Sequence, residues 1–191
     1  MRVITGSAKG HHLKAPKGTG TRPMLDRLKE ALFSVLEGYG PIRGRVLDLY
    51  AGTGSIGIEF LSRGASHADF VEQKGHVCGI IRENLEHTKL SARGQVFNAP
   101  VARWIAQQYV AEPYDFVMMD PPYADPAIVA TIQSVAGAAL IGEDGLLIVG
   151  HSPRVELADA YPGIWRRKFR RLGDSCFSIY ELGSGPAEEA L

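Results

Sequence analysis

The chain has 191 residues, of which 45% are hydrophobic, and a formal net charge of zero, so we expect one domain with a buried core. It has no apolar run long enough for a membrane span, and Met1 to Pro23 lacks the apolar stretch of a secretory signal. Its two cysteines, Cys78 and Cys176, come without a ligand set, which predicts neither a disulfide nor a metal site. We therefore expect a cytoplasmic monomer.

The chain begins with a basic segment. Residues 1–23 are predicted to form a short β-arm or hairpin, because strand-like pieces such as "RVITG" and "HHLKAP" alternate with glycine and lysine. The segment contains no acid, and its candidate contacts for an anionic polymer are Lys9, Lys14, Lys17 and Arg22. A second basic cluster, "WRRKFRRL", occupies residues 165–172. Solvated surface charge explains either cluster equally well.

Residues 24–183 are predicted to form an α/β domain. Leucines and a valine at helical spacing predict a helix that begins near Leu25 and stops near Gly38. Strands and helices then alternate, with strands near 45–50, 67–72, 94–99, 114–120 and 145–150 and helices near 55–63, 76–89, 101–110 and 126–139. Two final strands flank Gly173-Asp174, which gives a seven-stranded, mostly parallel sheet with an antiparallel end and helices on both faces. Residues 184–191 are predicted to be disordered.

A glycine loop follows the first strand. In "VLDLYAGTGSIGIEF", Gly52, Gly54 and Gly57 satisfy G-x-G-x-x-G, and Glu72 follows 20 residues after Gly52 (72 − 52 = 20). This spacing is typical of a nucleotide-type cofactor whose ribose is held by the acid. Asp48 would be a poor neighbour for a pyrophosphate and a better one for the amine and sulfonium of S-adenosylmethionine. Asp48 could instead orient the loop by accepting hydrogen bonds from its backbone amides.

The fourth strand ends in "DPPY". Asp120 is expected to point into the same crevice as the glycine loop, and Pro121 and Pro122 stiffen the loop after it. Tyr123 offers a flat face at the rim. The carbonyls of Asp120 and Pro121 would be two adjacent acceptors beside this ring, an arrangement that suits a planar ring with an exocyclic amine. By binding the two hydrogens of the amine, they would turn its lone pair toward an electrophilic methyl group.

Taken together, these motifs resemble a known family. "VLDLYAGTGSIGIEFLSRGA", "FVEQ", "ENL" and "MMDPPY" are similar to Rossmann-like class I methyltransferases that use S-adenosylmethionine. "ITGSAKGHHLKAPKGTGTRPMLDRLKEALF" resembles the RsmD family, which methylates a guanine 2-amino group of 16S ribosomal RNA. One departure is Met24-Leu25, where the family usually has threonine or serine.

The resemblance implies a role for each site residue. The residues implied around the cofactor are Asp48, Ala51, Gly52, Thr53, Gly54, Glu72, Gln73, Asn98 and Ala99. Asp120, Pro121, Pro122 and Tyr123 would receive the guanine, and the cations of the arm would contact 16S ribosomal RNA or a small-subunit assembly particle.

Other functions share part of this pattern. A DNA or other-RNA amino methyltransferase uses the same DPPY loop, although DNA enzymes usually add a recognition segment. A protein-glutamine or small-molecule methyltransferase would not need the basic arm. An NAD-dependent oxidoreductase shares the glycine loop but gives no reason for DPPY, and a non-catalytic RNA-binding protein gives no reason for Asp48, Glu72 and Asp120.

Overall fold

The structure is a computed structural model that describes residues 1–16, 26–107, 112–122 and 125–185. Five α-helices are present in these ranges: α1 (Asp26–Glu37), α2 (Ser55–Arg63), α3 (Gly75–His87), α4 (Val101–Gln107) and α5 (Ile128–Gly137). The strands are β1 (Arg45–Leu49), β2 (His67–Glu72), β3 (Gly94–Asn98), β4 (Tyr114–Met119), β5 (Ile141–His151), β6 (Ala160–Tyr161), β7 (Ile164–Leu172) and β8 (Ser175–Leu182). No helix in the described ranges has the length and apolarity needed to cross a bilayer.

All eight strands belong to one sheet, in the order β3-β2-β1-β4-β5-β8-β7-β6. Strands β1 to β5 pair in parallel, while β8 is antiparallel to both β5 and β7. The predicted α/β class and its seven long strands are confirmed. The sequence pattern missed β6, which has two residues and so no alternation to read, and it placed the start of β5 at residue 145 rather than at Ile141.

The two faces of the sheet are covered by different helices. Val46, Phe70 and Met118 point to one side, where they pack with apolar residues of α1, α2 and α3. Leu47 and Val117 point to the other side and pack with α4 and α5. We call these sides the α1–α3 face and the α4–α5 face. Since successive strand residues alternate between faces, the face of each residue at a strand end can be inferred from its neighbours.

The N-terminal segment lies on the domain. Within residues 1–16, the part of the predicted β-arm that the structure describes, one antiparallel bridge joins Arg2 and His12. Val3, Ala8 and Leu13 are buried in the cluster that includes α1 and α2. The proposed boundary at residue 23 lies outside the described residues, as do Lys17, Arg22 and Met24-Leu25. Residues 186–191 of the proposed tail are also outside them.

A buried ion pair fastens this segment to α1 and α2. The Lys29 Nζ lies 3.3 Å from the Glu59 Oε2, and both side chains have no solvent exposure. The Glu59 carboxylate also accepts hydrogen bonds from the backbone amides of Ile4 and Thr5, at 2.8 and 3.0 Å, and from the Arg63 Nε at 2.9 Å. One carboxylate thus pairs with two cations, of which Arg63 also pairs with Glu37, and accepts from two amides. A charge is tolerated in a core when it is paired and hydrogen-bonded in this way.

Candidate active site

Four polar side chains point to the same face of the sheet at the carboxyl ends of its strands. Asp48 is paired in register with Phe70 and Met118, so it shares their α1–α3 face. Glu72 and Asp120 each come two positions after one of those residues and therefore have the same orientation. Asn98 is paired with Glu72 and joins the set. The structure thus gathers the predicted cofactor acids and the predicted catalytic acid at one edge.

The glycine loop connects β1 to α2 with left-handed backbone. Gly52 has a φ of 54° and Gly54 a φ of 74°, a region that glycine adopts without strain. Gly57 has a different reason, because a Cβ there would overlap the Phe70 ring, with the ring Cζ at 2.8 Å. Helix α2 can therefore pack close to β2, and Ala51, Thr53 and Gly54 are buried at its start.

Asp48 holds the beginning of α2. Its Oδ2 accepts a hydrogen bond of 2.9 Å from the Gly57 amide, which is the loop-orienting role that the sequence left open. The pKa of Asp48 is raised to about 8, mainly by burial and also by the charges of Asp120 and Glu72, against the lowering effect of the Gly57 amide. A nearby positive charge would favour the ionised form of Asp48, so this end of the sheet favours a cationic ligand.

Glu72 links the glycine loop to the end of β2. Its Oε2 accepts from the Gly52 amide at 3.1 Å, and its Oε1 accepts from the Lys74 amide at 2.8 Å. The Asn98 Nδ2 donates to the backbone carbonyls of Glu72 and Gln73, at 3.1 and 2.9 Å. With both of those hydrogens engaged, the Asn98 side chain offers its oxygen as an acceptor. Gln73 and Asn98 are exposed, and Ala99 is half-buried.

Asp120 sits in a tight position at the end of β4. A Cβ on Gly150 of β5 would overlap the Asp120 Oδ1 and lie 3.0 Å from its Cγ, so the carboxylate rests directly against this glycine. Burial raises the pKa of Asp120 to about 6. Pro121 is buried and Pro122 is exposed. The Asp125 amide donates to the Pro122 carbonyl at 2.9 Å. Tyr123 lies outside the described residues.

Two residues of this region were not predicted to belong to it. Gly150 makes room for Asp120, and its signal in the sequence is only a glycine near the end of an apolar strand. Asn84 is buried on α3, and its Nδ2 donates to the carbonyls of Thr53 and Lys14, at 3.0 and 3.1 Å. Its Oδ1 accepts from the Lys14 amide at 2.8 Å. The glycine loop and the N-terminal segment are therefore held by one side chain.

The described cations of the N-terminal segment lie on its surface. Lys9 and Lys14 are both exposed. The Lys14 Nζ is 2.7 Å from the Glu83 Oε2, so part of its charge is balanced within the protein. Because Lys14 is attached to Asn84, it stands beside the glycine loop rather than on a detached arm.

Comparisons with known proteins extend over most of the chain. A family model described as "Conserved hypothetical protein 95" matches residues 1–181. "Putative rRNA methyltransferase YlbH" of Bacillus subtilis is 34% identical over 182 residues, 95% of this chain and 98% of that protein. "Ribosomal RNA small subunit methyltransferase D" of Escherichia coli K12 is 30% identical over 151 residues, 78% of this chain and 73% of that protein.

A solved structure shows the same architecture. It is named "Putative methyltransferase yhhF from Escherichia coli", and it superposes with a TM-score of 0.83 at 27% identity. The superposition covers 95% of this chain and 97% of the other. The likeness therefore extends over nearly the whole length of both chains.

Proposed function

This chain belongs to the RsmD family, and on that premise we propose that it transfers a methyl group from S-adenosylmethionine to the 2-amino group of a guanine in 16S ribosomal RNA. Its fold is the Rossmann-like methyltransferase fold that the sequence predicted. The observation that carries the proposal is the placement of Asp120, a half-buried carboxylate on the same face as Asp48 and Glu72.

The residues at the edge of the sheet fit the cofactor. When bound, S-adenosylmethionine supplies an electrophilic methyl group on a positively charged sulfur. The acidic side chains of Asp48 and Glu72 favour a cation at this end of the sheet, and the positive charge of the cofactor would in turn favour the ionised form of Asp48. Glu72 ends β2, where an acid binds ribose hydroxyls in folds of this type, and the free oxygen of Asn98 can accept from an adenine amine.

Asp120 is proposed to bind the guanine amine. Its carboxylate accepts a hydrogen bond from the amine, and the carbonyls next to the rigid Pro121-Pro122 pair offer a second acceptor. Held in this way, the amine keeps its lone pair directed at the cofactor pocket, and the carboxylate stabilises the positive charge that develops on the nitrogen. Tyr123 is proposed to stack on the guanine. Lys9, Lys14, Lys17 and Arg22 are proposed to contact phosphates.

The function can be tested on ribosomal RNA. The gene would be deleted in the organism that carries it, and nucleosides of its 16S ribosomal RNA would be analysed by mass spectrometry. We expect loss of one N2-methylguanosine, restored in vitro when the RNA or the small subunit is incubated with the purified protein and S-adenosylmethionine. Methylation of adenine in duplex DNA, with ribosomal RNA unchanged, would instead support a DNA methyltransferase.

Asp48→Asn is expected to separate cofactor binding from stability. The pKa of the Asp48 carboxyl group is raised from 3.8 to about 8 in the folded protein. The folded protein therefore loses stability as the pH rises from about 4 to about 8. The asparagine amide does not ionise, so the variant should gain more than about 1 kcal/mol of unfolding free energy at pH 8.5 and less at pH 6. Its affinity for S-adenosylmethionine should fall about tenfold, since a charged acceptor is lost.

Two measurements check this expectation. Urea unfolding of the cofactor-free protein at the two pH values gives the stability difference, and isothermal titration gives the affinity. A variant that binds the cofactor as tightly as the unaltered protein would limit Asp48 to loop orientation.

Gly150→Ala is expected to slow the reaction by displacing Asp120. Gly150 does not have a positive φ, so alanine suits its backbone. The new Cβ overlaps the Asp120 carboxylate, which is the end of a side chain and can rotate away. We expect kcat to fall about 10- to 100-fold, with the affinity for S-adenosylmethionine unchanged.

A double-mutant cycle tests that explanation. If Gly150 acts through Asp120, adding Gly150→Ala to an Asp120→Ala variant should cause no further loss of rate. Additive losses would mean that Gly150 has a separate function.

A further inference from the structure

The second basic cluster forms an outer edge of the sheet. Strand β6 pairs with Ile164 and Trp165 of β7, and the Arg166 amide donates to the Asp159 carbonyl. Among the described residues, the part of β7 from Arg167 to Leu172 pairs with no backbone on its outer side. Strands β7 and β5 are both antiparallel to β8 and therefore run in the same direction. Strand β7 thus ends on the same side of the sheet as β4 and β5, where Asp120 lies.

The register of the sheet places Arg170 of this cluster in line with the candidate active site. Asp120 contacts Gly150, which is paired with Phe177, which in turn is paired with Arg170. Three strand spacings of about 4.8 Å separate β4 from β7, so the backbones of Asp120 and Arg170 are roughly 14 Å apart. That distance is within the span of a few nucleotides next to a bound base.

The charges in this part of β7 are only partly balanced. Arg166 pairs with Asp159, and Arg167 pairs with Glu181. Lys168, Arg170 and Arg171 form no ion pair with any residue in the described ranges. Three positive charges on one edge provide a site for phosphates.

An exposed aromatic ring stands among these charges. The Phe169 side chain is 46% exposed. The Arg166 guanidinium lies 5.6 Å from its centroid, and the His151 ring is 6.0 Å away and tilted by 35°. Phe169 is paired with Ser178, so it points to the α4–α5 face, opposite to Arg170. An aromatic ring beside cations is a platform on which unpaired bases stack.

We infer that residues 168–171 of β7 dock the single-stranded RNA that flanks the methylated base. Phe169 stacks on a base, and Lys168, Arg170 and Arg171 contact phosphates. The inference rests on the proposed function and adds a contact surface distinct from the N-terminal cations. Charges on an edge strand also hinder association of sheets, but that role gives no reason for an exposed phenylalanine, which favours association.

RNA binding by variants tests the inference. The probe is unmodified 16S ribosomal RNA transcribed in vitro and labelled at one end with fluorescein. Replacing Lys168, Arg170 and Arg171 together with alanine removes three phosphate contacts. At about 0.7 per contact, the slope of log affinity against log salt should fall by about 2, which corresponds to roughly hundredfold weaker binding at 0.1 M salt. Phe169→Ala should weaken binding about tenfold with the slope unchanged, and Phe169→Tyr should restore it.

The control removes charge near the amino-terminal ends of the strands, the opposite ends from Asp120. Arg43 precedes β1 and Lys89 follows α3, both are exposed, and their double alanine variant should bind RNA normally. Gel filtration and S-adenosylmethionine affinity should be the same for all variants. An unchanged salt slope in the triple variant, or its self-association with RNA affinity intact, would overturn the inference. Failure of the unaltered protein to bind or methylate ribosomal RNA would refute the proposed function itself.

Discussion

Asp120→Ala is expected to lower kcat for methyl transfer by about 10²- to 10³-fold, the usual effect of removing one preorganised partner of the transition state. The affinity for S-adenosylmethionine should change little, because the contacts proposed for the cofactor come from β1, β2 and β3. Single-turnover methylation of ribosomal RNA gives the rate, and isothermal titration gives the affinity. Equal losses of both would contradict the proposed role.

A matched control lies on the same strand. Asp115 is an exposed carboxylate near the other end of β4, where its Oδ2 accepts a hydrogen bond of 2.7 Å from the Arg45 amide. Asp115→Ala removes the same chemical group and should leave kcat unchanged. A loss of rate in this variant would show that β4 tolerates no such change and that the result at Asp120 is structural.

The rate should also depend on the ionisation of Asp120. Burial raises its pKa to about 6, and the ionised carboxylate is the form that accepts most strongly from the amine. We therefore expect the rate of methyl transfer to rise between pH 5 and pH 7. In Asp120→Asn the remaining rate should lack this rise, since the amide does not titrate. A rise that survives the substitution would belong to another group.

Glu59→Ala is expected to lower the free energy of unfolding by about 3–5 kcal/mol, the loss typical of breaking a buried ion pair. The substitution removes the acceptor of four donors: Lys29, Arg63 and the amides of Ile4 and Thr5. All four donors then lose this acceptor, and the N-terminal segment loses two of its hydrogen bonds to α2, although its bonds to Ser62 remain. Urea denaturation monitored by circular dichroism measures the change.

Two variants in α1 serve as comparisons for Glu59→Ala. Lys29→Met should be less harmful than Glu59→Ala, because the carboxylate keeps Arg63 and both amides. Glu30 is exposed on the same helix, and Glu30→Ala should change the unfolding free energy by no more than about 0.5 kcal/mol. If Glu59→Ala were as mild as Glu30→Ala, the ion pair would contribute nothing to stability.

Much of the fold could be predicted from local pattern. The strands from β1 to β4 alternate with helices, and short buried runs between glycine and proline signals give their positions to within a few residues. Asp48, Glu72 and Asp120 each fall at or near a strand end, so the sheet order alone predicts that they share an edge. The glycine loop between β1 and α2 was predicted from Gly52, Gly54 and Gly57 for the same local reason.

The features that the pattern missed depend on contacts between distant residues. Lys29 and Glu59 carry no signal of burial, since charged residues at helical spacing are usually solvated. Gly150 matters only because Asp120 lies on the next strand, and Asn84 matters only because Lys14 returns to it. Such pairings arise from tertiary packing and have no periodicity along the chain.

The attachment of the N-terminal segment has a consequence for synthesis. Ile4 bonds to Glu59, 55 residues later, and Lys14 bonds to Asn84, 70 residues later. At elongation rates of about 5–20 residues per second, the anchor for Lys14 is completed about 4–14 s after Lys14 itself is added. The N-terminal segment must therefore remain without these contacts until α2 and α3, which are synthesised later, have emerged from the ribosome.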